Sequence, residues 1–170
     1  MKFCCLVFAI AALSTNVASA QSLWGETRSG MTVDEAKQIQ PLAFTPSDPR
    51  TVAKTGNIEL LRVEGLDLGA VEKFKASLYF SKTGKLQQVT LAPMASVNSY
   101  SGRSIFDSLF LGLKAKYGSP LNVNSKPDQA LATWTSGKTK IEAFYSNFMD
   151  TVTIVQVVYT GDAIALGSGL

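Results

Sequence analysis

The sequence of 170 residues contains no histidine, and its only cysteines are Cys4 and Cys5. Both cysteines lie in an N-terminal stretch that we expect to be removed on export, so the mature chain would have neither a thiol nor a disulfide. Without histidine and cysteine, Ser-His-Asp and Cys-His catalysis are excluded, as are the usual zinc and haem sites. The acidic pattern of a calcium-binding loop is also absent. We therefore predict a chain that is not an enzyme and has no catalytic residue, no metal and no cofactor.

The first 20 residues have the composition of a secretory signal peptide. Lys2 supplies positive charge, residues 4–13 form an apolar run, and Ala18-Ser19-Ala20 provides the small residues that signal peptidase requires. A run of about ten apolar residues is too short to cross a bilayer. Both cysteines precede this run, whereas the acylated cysteine of a lipoprotein signal follows it. We expect cleavage near Ala20, a periplasmic or secreted protein, and neither a transmembrane segment nor a lipid anchor.

Clusters of like charge are also lacking. The chain has 16 basic and 13 acidic residues, which are interspersed, so we expect no binding to nucleic acid. The sequence has no Asn-x-Ser/Thr glycosylation acceptor, which favours a bacterial periplasm over a eukaryotic secretory route.

The mature chain begins with a short helix that is followed by strands. Thr32 can serve as N-cap with Glu35 three residues later, as in a capping box, and Pro41 ends the helix after about two turns. An irregular, proline-containing loop occupies residues 41–56. Strand composition then recurs at residues 57–68, 71–80 and 85–93, with Gly84 suited to the turn before the last of these strands.

The second half repeats this order. A wide apolar stripe predicts a helix at residues 104–118, formed by Ile105, Phe106, Leu109, Phe110, Leu113 and Tyr117. A polar loop and three candidate strands follow, the strands at residues 130–134, 139–145 and 151–160. We therefore predict an α+β fold of tandem α-β-β-β units, with an antiparallel sheet and helices packed on one face. It would form a single domain at residues 21–160, with halves at about 27–93 and 98–160 and a loose tail at 161–170.

One face of the predicted sheet combines charge with aromatic rings. Alternation places Lys75, Ser77 and Tyr79 on the side of their strand opposite Phe74 and Leu78. In the second half the same side carries Lys140, Glu142 and Phe144. Such a composition suits a protein-binding surface, and an ordinary solvated face is the alternative. The candidate binding residues are Lys75, Tyr79, Lys140, Glu142 and Phe144.

Two other functions remain open. Four carboxylates lie within fourteen residues, at Glu59, Glu64, Asp67 and Glu72, and paired carboxylates can hydrolyse glycosides. Interleaved lysine and arginine favour a solvated sheet face instead. A carrier could also hold a small apolar ligand between the helices and the sheet. Trp24 and Trp134 could stack on such a ligand, although a tryptophan on a strand is more often part of the core.

Short motifs resemble those of small exported proteins of the BamE/SmpA-OmlA type and of the β-lactamase-inhibitor-protein type. They are Gly30-Met31-Thr32-Val33-Asp34-Glu35 on the short helix, Gly118-Ser119-Pro120, and the strand residue Trp134. The resemblance implies a tandem helix-plus-antiparallel-sheet fold that acts by binding another protein. The chain lacks the acylated cysteine of the assembly lipoproteins and the disulfides of the inhibitors.

The expected function is that of an exported, non-catalytic periplasmic protein-binding or envelope-assembly module. Its partner would be another exported or envelope protein. The alternatives are a carrier of a small apolar ligand and a carboxylate-dependent hydrolase.

Overall fold

The computed structural model describes residues 22–70, 72–149 and 151–161. Within these ranges the chain forms two helices and seven strands, in the order α1 (Val33–Ile39), β1 (Ile58–Leu66), β2 (Phe74–Phe80), β3 (Leu86–Pro93), α2 (Ser99–Tyr117), β4 (Asn122–Ser125), β5 (Gln129–Ser136), β6 (Thr139–Phe148) and β7 (Val152–Thr160). The predicted signal peptide lies outside the described residues, as does the predicted tail except for Gly161.

The seven strands form one sheet in the order β1-β2-β3-β7-β6-β5-β4, and every neighbouring pair is antiparallel. The two halves of the chain meet at the centre of this sheet, where β3 pairs with the last strand, β7. Val89 lies opposite Tyr159, and Leu91 lies opposite Val157. This pairing makes one continuous core from residues about seventy positions apart.

The predicted fold class, α+β with tandem α-β-β-β units and helices packed on one face, is wrong. The described chain is mostly antiparallel sheet, and its helices have only 7 and 19 residues. The second half contains a fourth strand, β4, within the predicted polar loop, so the halves do not repeat one unit. Helix α2 packs against three strands, β5, β6 and β7. Helix α1 contacts β1, the strand at the edge of the sheet.

Helix α1 is well capped although it contributes little to the core. The backbone N–H of Thr32 donates to Glu35 Oε2 at 2.7 Å, and the N–H of Glu35 donates to Thr32 Oγ1 at 3.3 Å, which confirms the predicted capping box. The hydrogen bond from the Thr32 backbone lowers the pKa of Glu35. Because Ala36 is the only buried residue of α1, the stability of this helix depends on the capping contacts at its start.

Helix α2 covers the second half of the sheet with the predicted stripe, in which Phe106, Leu109 and Leu113 are buried. It begins at Ser99, five residues before the predicted start, because Asn98 acts as the N-cap. Its side chain accepts a hydrogen bond from the N–H of Ser101 at 2.8 Å. Those extra residues bring the start of the helix onto β6, where the Tyr145 hydroxyl donates to the Ser99 carbonyl at 3.2 Å.

Two glycines of α2 are expected to respond oppositely to alanine. A Cβ at Gly102 would overlap Thr153 and contact Tyr145 and Val155, whereas a Cβ at Gly112 would meet nothing within 4 Å. Gly102→Ala should therefore lower the free energy of unfolding by about 1–3 kcal/mol through overpacking. Gly112→Ala should raise it by up to about 1 kcal/mol, because glycine disfavours helix. Urea denaturation of the two variants checks both signs, and equal effects would contradict this packing of α2.

The free edge of the first half is covered by residues 44–52, called the covering segment, which pair with β1 near both ends and bend at residues 47–48. Phe44 and Arg62 exchange two backbone hydrogen bonds of 2.9 Å, and the N–H of Glu59 donates to the Arg50 carbonyl at 2.8 Å. The Asp48 carboxylate pairs with Arg62 Nη1 at 3.0 Å. The loop predicted from its prolines thus pairs with β1 and, through Asp48, binds the Arg62 side chain on the sheet face opposite α2.

Candidate functional site

The sheet face opposite α2 is called the open face. Alternation along β6 buries Ile141, Ala143 and Tyr145 beneath the helix and turns Lys140, Glu142 and Phe144 the other way, as predicted. Lys75 and Tyr79 on β2 have the same orientation. β3 and β7 lie between β2 and β6, so the predicted residues form two separate groups on this face.

The first group, Lys75 and Tyr79 on β2, does not form an exposed surface. Tyr79 is only 7% exposed, and Ser77 and Arg62 beside it are also buried. They lie where the covering segment meets the sheet, through its contacts with Arg62 and Glu59. Burial raises the pKa of the Tyr79 hydroxyl, and the charge of Glu59 raises it further. The expectation that Tyr79 offers an exposed ring is therefore wrong, while Lys75 is half-buried.

A buried ion pair lies in this covered region. Glu59 is fully buried, and the Arg62 guanidinium binds its two oxygens through Nε at 2.8 Å and Nη2 at 3.0 Å. Burial by itself would raise the pKa of Glu59, but hydrogen bonds from Arg62 and Ser77 outweigh it and leave the pKa lowered. The pair is therefore ionised at neutral pH and holds the covering segment to the sheet through Asp48.

The four predicted carboxylates do not share one site. Glu64 lies 3.8 Å from the same Arg62 that binds Glu59, and Asp67 pairs with Lys73 at 3.1 Å. Glu72 instead lines a pocket beside α2. The acids that are close in the sequence therefore lie in different places, since Arg62 and Lys73 each bind some of them.

The second group is accessible. The Lys140 ammonium lies 2.8 Å from a Glu142 carboxylate oxygen on the same strand, so the two charges neutralise each other. Phe144 is half-buried between its cross-strand neighbours Leu131 on β5 and Gln156 on β7. This part of the open face therefore presents a paired charge next to apolar side chains.

Apolar side chains extend from Phe144 toward the ends of β6 and β7. Cross-strand pairing places Phe148 opposite Val152 and Ser146 opposite Ile154, all on the open face. Phe148 is 64% exposed, Val152 52% and Ile154 45%. The open-face patch is defined by these residues and their neighbours, namely Leu131, Phe144, Phe148, Val152, Ile154 and Val158.

Sequence reasoning selected only Phe144 from this patch. A signal for three of the others was present in β7, where Val152, Ile154 and Val158 alternate with Val155, Val157 and Tyr159. A strand that is apolar on both sides is typical of strands buried on both faces. Among the residues that the structure describes, α2 covers one side of β7, whereas Val152 and Ile154 on the other side are exposed.

Comparisons of the chain with models of protein families, with curated proteins and with solved structures found no match. The resemblance to the BamE/SmpA-OmlA and β-lactamase-inhibitor types therefore stays a prediction from short motifs. In the part of the chain that the structure describes, no helix is long and apolar enough to cross a membrane. The same residues contain no cluster of three or more acidic side chains that could hold a metal ion.

Proposed function

We propose that the chain is an exported, non-catalytic protein-binding or envelope-assembly module that acts through the open-face patch. The observation that carries this proposal is the exposure of Phe148, Val152 and Ile154 side by side on one sheet face. Contiguous exposed apolar side chains with a polar border are a recurrent sign of interaction sites. Lys140 and Glu142 supply such a border without adding net charge.

The first half of the chain suggests the kind of partner. There the covering segment, which contains Pro46 and Pro49, binds Arg62 and Glu59 beside the buried Tyr79. The corresponding face of the second half has no such cover among the described residues. An extended, largely apolar segment of another exported protein would cover Phe144 and Ile154 in a similar way. The motif resemblance to exported binding proteins supports the same class of function.

Replacing Phe148 and Ile154 together with serine should abolish capture of a partner and leave the fold intact. Exposed substitutions usually change stability by no more than about 0.5 kcal/mol each. Apolar anchors of an interface contribute on the order of 2 kcal/mol each, so affinity should fall by a large factor. The measurement is affinity capture from periplasmic extract, followed by the dissociation constant for the captured protein.

The matched control is Leu111→Ser, which removes an equally exposed apolar side chain from the outer surface of α2. A true partner is captured by the wild-type protein and by this control, and is lost with the double variant. Equal capture by all three proteins, with unchanged melting temperatures, would contradict a role for the open-face patch.

A further inference from the structure

A pocket of about 390 Å³ lies on the other side of the sheet, between α2 and the central strands. Its walls are mainly apolar and are formed by Trp24, Leu68, Leu91, Leu109, Leu113 and Val157. The volume and the lining are typical of small-molecule sites. The sequence left open a carrier that holds an apolar ligand between the helices and the sheet, and the pocket lies in such a position. It is lined by Trp24, one of the two tryptophans that could stack on the ligand.

A second pocket of about 290 Å³ continues along the same side of α2. Ser108 lines both pockets, and the second is formed further by Ala70, Tyr100 and Ile105. From Tyr100 to Lys116 the helix extends about 24 Å at 1.5 Å per residue. The two pockets together, called the α2 groove, are therefore elongated and suit a chain-like ligand better than a compact one.

The two ends of the α2 groove differ in charge. Lys116 lines one end, and in the described part of the chain no carboxylate lies within 4.0 Å of its ammonium group. Glu72 lines the opposite end. An anionic group would thus be attracted to the Lys116 end and repelled from the other, so the groove can orient a ligand that has one charged end.

A hydroxyl group adds to the Lys116 end. Tyr159 lines this pocket and is almost fully buried. Burial raises the pKa of its hydroxyl far above the ordinary value, and the neighbouring Tyr117 adds to the shift. Tyr159 therefore stays protonated at neutral pH, and its hydroxyl is hydrogen-bonded to that of Tyr117, whose ring lies 5.0 Å from the Lys116 ammonium.

We propose that the α2 groove binds an amphiphile with one anionic headgroup and an unbranched aliphatic tail. The headgroup lies beside Lys116, and the tail follows α2 between Leu109 and Leu91 toward Ile105. This site is independent of the open-face patch, because Leu91, Val157 and Tyr159 project from the opposite side of the sheet.

Decanoate is the probe for this proposal, with decyltrimethylammonium as the tail-matched cation. Titration below the micelle-forming concentration is followed by the tryptophan fluorescence of the wild-type protein, in which Trp24 lines the groove and Trp134 is buried in the core. Decanoate should change the emission with saturation. The cation should bind more weakly, because its headgroup would face Lys116.

Two substitutions test the geometry. Gly112→Leu should fill part of the groove, since Gly112 lines it and a Cβ there meets nothing within 4 Å, and should weaken decanoate binding at least about tenfold. Its melting temperature should hold or rise. Lys116→Gln should lower the affinity for decanoate by about threefold, which is the effect expected from losing an exposed ion pair. Lys114→Gln is the control, because Lys114 does not line the groove, and it should leave the affinity unchanged.

Failure of decanoate to bind, or equal binding by Gly112→Leu, would overturn the site. Equal affinity for decanoate and the cation, with no effect of Lys116→Gln, would overturn the anionic headgroup. The serine variant at Phe148 and Ile154 should bind decanoate like the wild type, so failure here is separable from failure of the proposed protein-binding function.

Discussion

Replacing Arg62 with methionine should lower the free energy of unfolding by about 3–5 kcal/mol at neutral pH. The reason is that the fully buried Glu59 would lose the guanidinium that binds both of its oxygens, at 2.8 and 3.0 Å. Breaking a buried pair from one side leaves an uncompensated charge, which costs far more than the pair itself contributes. The covering segment would also lose its contact through Asp48. Urea denaturation measures the change.

Lys73→Met is the control, because it removes one partner of an exposed pair with Asp67 and should cost no more than about 1 kcal/mol. In the wild type the pKa of Glu59 is lowered from its ordinary value of 4.5. The ionised Glu59 therefore stabilises the fold above pH 4.5, and this contribution is lost as the pH falls below that value. In the Arg62→Met variant, burial would instead favour the protonated form of Glu59. The difference between the two proteins should therefore begin to shrink above pH 4.5, as Glu59 of the variant takes up its proton, and should shrink further below pH 4.5. A difference that is constant with pH would contradict this cause.

Replacing Trp134 with alanine should also lower the free energy of unfolding by about 3–5 kcal/mol. The side chain is 1% exposed, and its ring lies 5.7 Å from that of Phe110 on α2. Its Nε1 donates to the Gly118 carbonyl at 3.0 Å, so the variant would leave both a cavity and an unpaired carbonyl at the end of the helix. Chemical denaturation at neutral pH checks the value.

Trp134→Phe separates these two contributions, since it keeps an aromatic ring and removes the donor. It should cost less than the alanine variant and show a loss near the end of α2 by hydrogen exchange. Tyr100→Ala is the control, because Tyr100 is 87% exposed. Similar small effects for Trp134→Ala and Tyr100→Ala would show that the residue does not anchor the helix.

Local features could be predicted from the sequence because the interactions that form them are local. The Thr32–Glu35 capping box joins residues three positions apart, and Gly84 has φ of 71° in its turn, as expected. Alternation along β2 and β6 also predicted which side chains share a face. By contrast, β4 was missed, because its four residues are all exposed and show no apolar periodicity.

The candidate site depended more on distant contacts. The alternation of side chains along β2 placed Tyr79 on the correct face, but no pattern near Tyr79 indicates that it is buried where residues 44–52 meet the sheet. The patch at Phe148 and Ile154 could have been suspected from the two apolar sides of β7. That no described residue covers the second side of β7 follows only from the packed arrangement.

The sequence by itself determined the capped helix, the alternation of the strands, and the absence of histidine from any chemistry the protein performs. Each depends on residue identity or on neighbours within a few positions. Only the tertiary structure decided that β3 pairs with β7, that Arg62 neutralises Glu59 beneath the covering segment, and that a groove runs beside α2. Hydrogen bonds between strands are made by backbone groups that all residues share, so the sequence does not mark which distant strands will meet.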